Sequence, residues 1–132
     1  MIVLDASAAV DYLIDGGEGG DWVRRTIEDE ADVAAPHLID LEVLSTLRKR
    51  AARKEVTRRR AIEAISDFRD LAVVRYPVTD LIERIWDLRL TLTPYDAAYV
   101  TLSEALGVAL VTTDERLGRS HGHKAEILSL GR

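Results

Sequence analysis

Residues 2–14 read IVLDASAAVDYLI, a short apolar run that ends in Asp5 and is followed by residues with helical spacing. The three apolar residues before Asp5 are typical of a strand that is buried on both faces. The spacing over residues 8–14, followed by Gly16 and Gly17, predicts a helix that ends at these glycines. We therefore expect a strand with an acidic residue at its carboxyl end, followed by a helix.

The same alternation of strand and helix continues along the chain. Further strands are predicted at residues 32–35, 72–76, 108–111 and 126–130, and helices at 21–30, 38–54, 57–70, 79–89 and 94–106, with a turn or short helix at 114–119. Thr57 and Thr79 are predicted N-caps, and Gly107 lies where glycine is favoured after a helix. Because the strands are continuous apolar runs, we predict an α/β fold with a mainly parallel sheet that helices cover on both faces, formed by one domain over residues 1–132.

The composition excludes several classes of protein. The 132 residues are 47% hydrophobic and 31% charged, which is typical of a globular domain. There is no cysteine, so disulfide scaffolds, thiolate metal sites and cysteine nucleophiles are excluded. No apolar run approaches 18 residues, and residues 1–13 lack a basic region, so neither a membrane span nor a signal peptide is expected. These features fit a cytoplasmic location.

Positive charge is concentrated in one segment, residues 48–60, which read RKRAARKEVTRRR. Eight basic residues and one acid give this segment a charge of +7 and leave −12 for the rest of a chain whose net charge is −5. A basic patch of this kind favours phosphate groups, although a solvated helical surface without a partner is an equally good interpretation. The candidate phosphate contacts are Arg48, Lys49, Arg50, Arg53 and Lys54.

Four acidic residues that are far apart in sequence are predicted to meet at one edge of the sheet. Asp5 follows the first strand, Asp114 follows the strand at 108–111, and Glu42 and Asp96 lie in the first turns of helices. In right-handed crossovers each helix runs antiparallel to its strands, so helix N-termini lie at the edge where strands end. Ligands of open α/β sheets bind in the crevice at this edge.

Each of these acids also has a purely structural interpretation. Asp5 and Asp114 are suitable helix caps, and Asp96 completes a pattern that resembles a capping box. Glu42 is expected to be buried, because apolar residues surround it on its helix, and an ion pair with an arginine is its structural alternative. The apolar residues around Glu42 are Ile39, Leu41, Val43, Leu44 and Leu47.

A hard divalent cation would relieve the repulsion among four carboxylates that converge. Oxygen ligands favour Mg²⁺ or Mn²⁺, and the three histidines lack the spacing of zinc ligands. Ser7, Thr112 and Thr113 are candidates for hydroxyl groups that orient the carboxylates, with turn and cap hydrogen bonds as the alternative. A carboxylate-held cation in a chain with a basic segment suits phosphodiester hydrolysis by a metal-activated water, without a protein nucleophile.

Four short motifs together resemble the PIN-domain ribonucleases, and within them the VapC-type toxins of bacterial toxin–antitoxin pairs. They are IVLDASA around Asp5, DLEV around Glu42, TPYDAAYV around Asp96 and VTTDERL around Asp114. Each motif is short, but their order and spacing make the set fairly specific, and the resemblance extends over essentially the whole chain.

The resemblance implies a PIN-like fold, a three-layer α/β/α sandwich with a mainly parallel sheet, and metal-dependent cleavage of RNA. The candidate phosphate contacts named above are then candidate RNA contacts. It implies that Asp5, Asp96 and Asp114 bind Mg²⁺ or Mn²⁺ directly, that Glu42 acts directly or through water, and that Ser7 and Thr112 match hydroxyl positions near the site. It also implies a homodimer and a cognate VapB-type antitoxin that covers the site. Many relatives carry a further acid where this chain has Arg116, which puts a second metal in doubt.

Two other functions remain open from the sequence. Haloacid-dehalogenase-like phosphatases also place an aspartate after the first strand, but they need a second aspartate where this chain has Ser7. A non-catalytic α/β binding module, in which the acids only cap helices, would show no stabilisation by Mg²⁺ or Mn²⁺.

Overall fold

The computed structural model describes residues 1–14 and 17–130, which form a five-stranded sheet flanked by helices. The strands are β1 (Ile2–Leu4), β2 (Val33–Pro36), β3 (Val73–Tyr76), β4 (Leu110–Val111) and β5 (Ile127–Leu128). The helices are α1 (Ala6–Ile14), α2 (Glu18–Ile27), α3 (Ile39–Ala52), α4 (Arg58–Asp70), α5 (Ile82–Asp87), α6 (Pro94–Leu106) and α7 (Glu115–Gly118), with a 3₁₀ turn at Thr79–Leu81. None of the described helices is both long and apolar enough to cross a membrane.

The sheet is parallel throughout, with the strand order β3-β2-β1-β4-β5. In the centre, β1 pairs with β2 through Val3 and Ala34 and with β4 through Val3 and Leu110. The chain first adds strands on one side of β1 and then on the other, so the order reverses between β1 and β4. A reversal of this kind opens a crevice at the carboxyl ends of the two strands, where α/β proteins bind ligands.

The helices pack in two groups. Helix α1 contacts α2, α3 and α4, whereas α6 contacts α5 and strands β1, β2 and β4. Helix α3 buries a stripe at Ile39, Val43 and Leu47, and α6 buries seven consecutive residues, 97–103. The predicted three-layer α/β/α class and parallel sheet are confirmed.

Several predicted boundaries were wrong by a few residues. Helix α1 begins at Ala6 rather than residue 8, because Asp5 caps it, and the predicted stop at Gly16 lies outside the described residues. Helix α2 begins at Glu18, three residues early, and includes two glycines, because burial of Gly20, Val23 and Ile27 outweighs the low helix propensity of glycine. Strand β5 covers two residues instead of the five predicted.

The predicted helix over residues 79–89 is also different in the structure. Thr79 does not cap it: a 3₁₀ turn with Val78 in the cap position precedes α5, which ends at Asp87. By contrast, the hydroxyl of Thr57 accepts from the backbone N–H of Arg60 and caps α4, as predicted. Gly107 ends α6 with a φ of +66°, the left-handed conformation that glycine adopts without strain.

Candidate active site

Asp5 and Asp114 lie at the carboxyl ends of the two neighbouring central strands, β1 and β4. Asp5 is buried, and its Oδ1 accepts from the Ala8 backbone N–H at 2.9 Å and from the Ser7 hydroxyl at 2.8 Å. Its Oδ2 accepts from the Thr112 hydroxyl at 2.5 Å. Asp114 caps α7 by accepting from the backbone N–H groups of Arg116 and Leu117. The capping role predicted for both acids is therefore compatible with their position at the sheet edge.

The hydroxyls predicted beside the site connect the two strand ends. Thr112 donates to Asp5 and accepts from the backbone N–H of Asp114 at 3.0 Å. Thr113 contributes its backbone N–H, which donates to the Ser7 hydroxyl at 3.3 Å. Ser7 and Thr112 thus restrain the carboxylate of Asp5 from both sides.

Glu42 and Asp96 reach the same place from helices. Asp96 lies in the first turn of α6, where its backbone N–H donates to the capping hydroxyl of Thr93. Glu42 lies in the first turn of α3 and accepts a 2.7 Å hydrogen bond from the Tyr99 hydroxyl. Sequence reasoning missed Tyr99, although it lies three residues after Asp96 and so on the same face of a helix.

All four predicted carboxylates line one cavity of about 200 Å³, which we call the acidic cavity. Ser7, Lys49 and Tyr99 also line it. The structure thus brings together residues that are up to 109 positions apart, between Asp5 and Asp114. This convergence is the spatial relation that the strand–helix alternation predicted.

The acidic cavity concentrates negative charge on carboxylates that are buried or partly buried. Burial raises the pKa of Asp5 to about 6 despite its three hydrogen-bond donors, and Asp114 adds to the rise by repulsion. Burial also raises the pKa of Glu42 and of Asp96, each with a contribution from a neighbouring carboxylate. Burial and the contact with Glu42 raise the pKa of Tyr99 well above its usual range, so this phenol stays a donor.

Arg116 is the basic side chain that contacts two of these acids. Its Nη2 lies 3.4 Å from Asp96 Oδ2 and 3.7 Å from Asp114 Oδ2, and this attraction offsets part of the rise in the pKa of Asp96. The guanidinium is largely exposed, with 76% of the side chain accessible. At this position, where the resemblance implied a further acid, the chain therefore has a positive charge.

The donor set suits a hard divalent cation. Burial and mutual repulsion raise the pKa values of Asp5, Glu42 and Asp96. Together with Asp114 they offer oxygen ligands that such an ion would satisfy. Among residues 1–14 and 17–130, however, no group of three or more such side chains already has the geometry of a metal site. The residues fit a cation by their chemistry, although their side chains as placed do not form a coordination geometry.

The expected burial around Glu42 was wrong, and the arginine ion pair that was its structural alternative does not form among the described residues. Its helix is not buried all round: Leu41 and Leu44 are exposed, and only Ile39, Val43 and Leu47 are buried. The partner of Glu42 is the Tyr99 hydroxyl rather than an arginine. Glu42 faces a cavity that is partly open to solvent, which explains how a carboxylate is tolerated there.

The basic segment is divided between different surfaces. Lys49 lines the acidic cavity. The next residue, Arg50, instead forms an ion pair with Asp11 of α1 at 2.8 Å. Arg60 donates to the Leu13 carbonyl and lies near Glu63 and Asp67. Arg48, Arg53 and Lys54 are exposed. Of the predicted RNA contacts, Lys49 lies at the site, and Arg50 is held in an ion pair.

A model of the PIN domain family matches residues 2–121. Ribonuclease VapC9 of Mycobacterium tuberculosis is 47% identical over 117 residues, which cover 89% of this chain and 88% of the relative. Ribonuclease VapC12 of the same species is 42% identical over 127 residues, which cover 96% of this chain and 97% of the relative.

Solved structures share the fold. PAE2754 from Pyrobaculum aerophilum has a TM-score of 0.66 and 26% identity, and the match covers 98% of this chain and 83% of that one. VapC20 of Mycobacterium tuberculosis, a toxin that cleaves the sarcin–ricin loop, has a TM-score of 0.68 and 17% identity, over 89% of this chain and 93% of that one. The carboxylates lie where the strand order of a parallel sheet reverses, and the relatives are similar over most of their length. The chain therefore belongs to the PIN-domain family, among the VapC ribonucleases.

Proposed function

We propose that this chain is an endoribonuclease that hydrolyses RNA phosphodiester bonds and is the toxin of a type II toxin–antitoxin pair. The observation that carries the proposal is the convergence of Asp5, Glu42, Asp96 and Asp114 on one cavity at the sheet edge. Its family membership supports the same activity. The haloacid-dehalogenase-like alternative lacks support, because Ser7 donates to Asp5 where a second aspartate would be needed.

Mg²⁺ or Mn²⁺ is the proposed cofactor, held by Asp5, Asp96 and Asp114, with Glu42 as a direct or water-mediated ligand. The cation would lower the pKa of a bound water and neutralise charge on the scissile phosphate. Ser7 and Thr112 fix the orientation of Asp5, and Tyr99 fixes that of Glu42. The buried position of Asp5 limits competition from water for its oxygens.

We further propose that one domain, formed by residues 1–132, carries this activity in the cytoplasm, where RNA is available. A VapB-type antitoxin and a second copy of the chain are the proposed protein partners. An apolar surface supports a protein partner: Ile82, Trp86 and Tyr95 are exposed, and with the partly buried Leu38 they line an apolar cavity of about 450 Å³. We call these four residues the apolar face. Apolar surfaces of this kind are typical of interfaces between proteins.

Substitution of Asp96 by asparagine tests the proposed function. We expect Asp96→Asn to lower RNA cleavage by about 100-fold or more, because one ligand and one negative charge are lost. Mg²⁺ or Mn²⁺ should stabilise the unaltered protein, by about 2.7 kcal/mol at a hundred times the dissociation constant. The variant should respond much less in the same thermal melts.

Asp80→Asn is the matched control, since it removes the same charge from an exposed residue of the 3₁₀ turn. It should retain both cleavage and stabilisation by the cation. Full cleavage activity in purified Asp96→Asn protein would contradict the proposal. Melting temperatures of the unaltered protein that are unaffected by either cation would instead favour a non-catalytic binding module.

A further inference from the structure

A second cavity, of about 710 Å³, adjoins the acidic cavity. Arg89, Arg116 and Arg119 line it, and we call it the arginine cavity. Asp96 lines both cavities, and Arg116 of the arginine cavity lies 3.7 Å from Asp114 of the acidic cavity, so the two cavities are neighbours. A ligand whose phosphate lies against the carboxylates therefore has the arginine cavity as its immediate neighbour.

The charge of this cavity is opposite to that of the whole molecule. Its lining carries three arginines and one acid, a formal charge of +2 with histidine neutral, in a chain whose net charge is −5. Arginine presents several N–H donors in a plane and matches phosphate oxygens better than other side chains. The cavity thus has the charge and donor chemistry of a site for a polyanion.

The three guanidinium groups retain donors for a ligand. Arg116 contacts Asp96 and Asp114 through Nη2 alone in the recorded ion pairs. Arg119 lies 3.7 Å from Glu115 with 70% of its side chain exposed, an arrangement that contributes little to stability. Arg89 lies 4.7 Å above the ring of Trp86 and donates to the Trp86 carbonyl, which fixes its position without neutralising its charge.

We infer that the arginine cavity is the subsite that holds the RNA backbone beside the carboxylates, and this inference rests on the proposed ribonuclease function. Arg89 and Arg119 bind phosphates next to the scissile one. Arg116, at the junction of the two cavities, positions the phosphate nearest Asp96. The basic segment at residues 48–60 then contributes through Lys49, which lines the acidic cavity but not the arginine cavity.

Binding of a fluorescein-labelled single-stranded RNA 12-mer pool of random sequence tests the inference. In an Asp5→Asn background, which should leave the RNA intact, anisotropy gives Kd as a function of salt concentration. Each phosphate contact of a single strand contributes about 0.7 to the slope of log K against log salt concentration. One contact therefore raises the affinity at 0.1 M salt by about fivefold relative to the affinity at 1 M salt. Arg89→Gln and Arg119→Gln should each weaken binding by this factor and reduce the slope accordingly.

Cleavage kinetics provide the second measurement, with Asp5 intact. Arg89→Gln and Arg119→Gln should lower kcat/KM by about fivefold through KM, since they bind substrate away from the reacting phosphate. Arg116→Gln should lower kcat as well, because it also contacts Asp96 and Asp114. Arg69→Gln is the matched control, because it removes the same charge from an exposed residue at the end of α4. It should change neither KM nor kcat.

The outcomes separate this inference from the proposed function. If the unaltered protein cleaves RNA but Arg89→Gln and Arg119→Gln behave like Arg69→Gln, the subsite is wrong and the ribonuclease function stands. If Arg53→Gln and Arg58→Gln reduce the salt slope instead, the basic segment is the RNA surface and the inference is overturned. If the unaltered protein neither binds nor cleaves RNA, the proposed function fails and the subsite fails with it.

Discussion

Asp5 shows how a single residue is both well bonded and electrostatically unfavourable. It accepts hydrogen bonds from Ser7, Ala8 and Thr112, yet burial still raises its pKa to about 6. Burial penalises the charged form more than these donors stabilise it. A residue in this condition lowers the stability of the folded chain at neutral pH, which is typical of a position kept for function.

The pH dependence of stability provides a test at this residue. The pKa of Asp5 is higher in the folded state, so the folded protein binds more protons between pH 3.8 and about 6. Its free energy of unfolding therefore falls as pH rises through this range and stays lower above it. In a chelator at pH 7 we expect Asp5→Asn to be more stable than the unaltered chain by up to about 3 kcal/mol.

Urea denaturation at several pH values measures this difference. The difference should shrink as pH falls from about 6 towards 3.8, and it should be lost below that range, where Asp5 is neutral in both states. Asparagine can keep the same shape, since its oxygen accepts from Ser7 and Ala8 while its amide donates to Thr112. A difference that is independent of pH from 4 to 7 would show that Asp5 does not titrate as its burial predicts.

At the scale of elements, α6 links the site to the rest of the molecule. Its first turn carries Asp96 and its second Tyr99, while Glu104 near its end accepts from both Arg84 of α5 and the backbone N–H of Lys124. The two hydrogen bonds to Arg84 are 3.0 Å long, and they lower the pKa of Glu104. The contacts of Glu104 therefore hold α5 and the segment before β5 against α6.

Substitution of Glu104 by glutamine should weaken this link. Because the folded state lowers the pKa of Glu104, its contribution is present above the unfolded pKa and is lost as pH falls through the folded value. We expect Glu104→Gln to lower the free energy of unfolding by about 1 kcal/mol at pH 7, since Arg84 is partly exposed and the pair is screened by solvent.

Chemical denaturation at pH 7 and pH 3 checks the expectation, with Glu83→Gln as the control for an exposed acid of α5. The difference between Glu104→Gln and the unaltered protein should diminish at pH 3. An equal loss of stability in the Glu83→Gln control would indicate a general charge effect rather than the bridge to Arg84.

For the whole molecule, the apolar face supports the proposed homodimer. Ile82 and Trp86 expose 57% and 65% of their surface. A charge placed at Ile82 would have to be buried in an interface there, whereas glutamate is well tolerated in the first turn of a free helix. Ile82→Glu should therefore convert the dimer to a monomer without loss of folding.

Sedimentation or size-exclusion measurements at micromolar concentration show the oligomeric state. Ile62→Glu on α4 is the matched control, because Ile62 is also 57% exposed and does not belong to the apolar face. It should leave the dimer intact. A dimer that persists in Ile82→Glu would place the interface elsewhere, and a monomeric unaltered protein would contradict the homodimer itself.

The sequence alone determined the fold class and which four acidic residues were expected to lie together. Apolar runs such as Ile2–Leu4, alternating with helical spacing, are local patterns of burial, and in a parallel sheet they fix which ends of the elements meet. Asp5, Glu42, Asp96 and Asp114 could therefore be grouped before any coordinates were known. Element ends were less predictable, because packing decides whether residues such as Gly20 join a helix.

Only the tertiary structure decided which side chains accompany these acids. The hydrogen bond from Tyr99 to Glu42, the contacts of Arg116 with Asp96 and Asp114, and the exposure of Leu41 depend on how α3, α6 and α7 lie across the sheet. Such contacts join residues far apart in the chain, and their distances follow from helix rotation and packing rather than from any local pattern. For the same reason the arginine cavity has no counterpart in the sequence, where the most visible basic residues lie at 48–60.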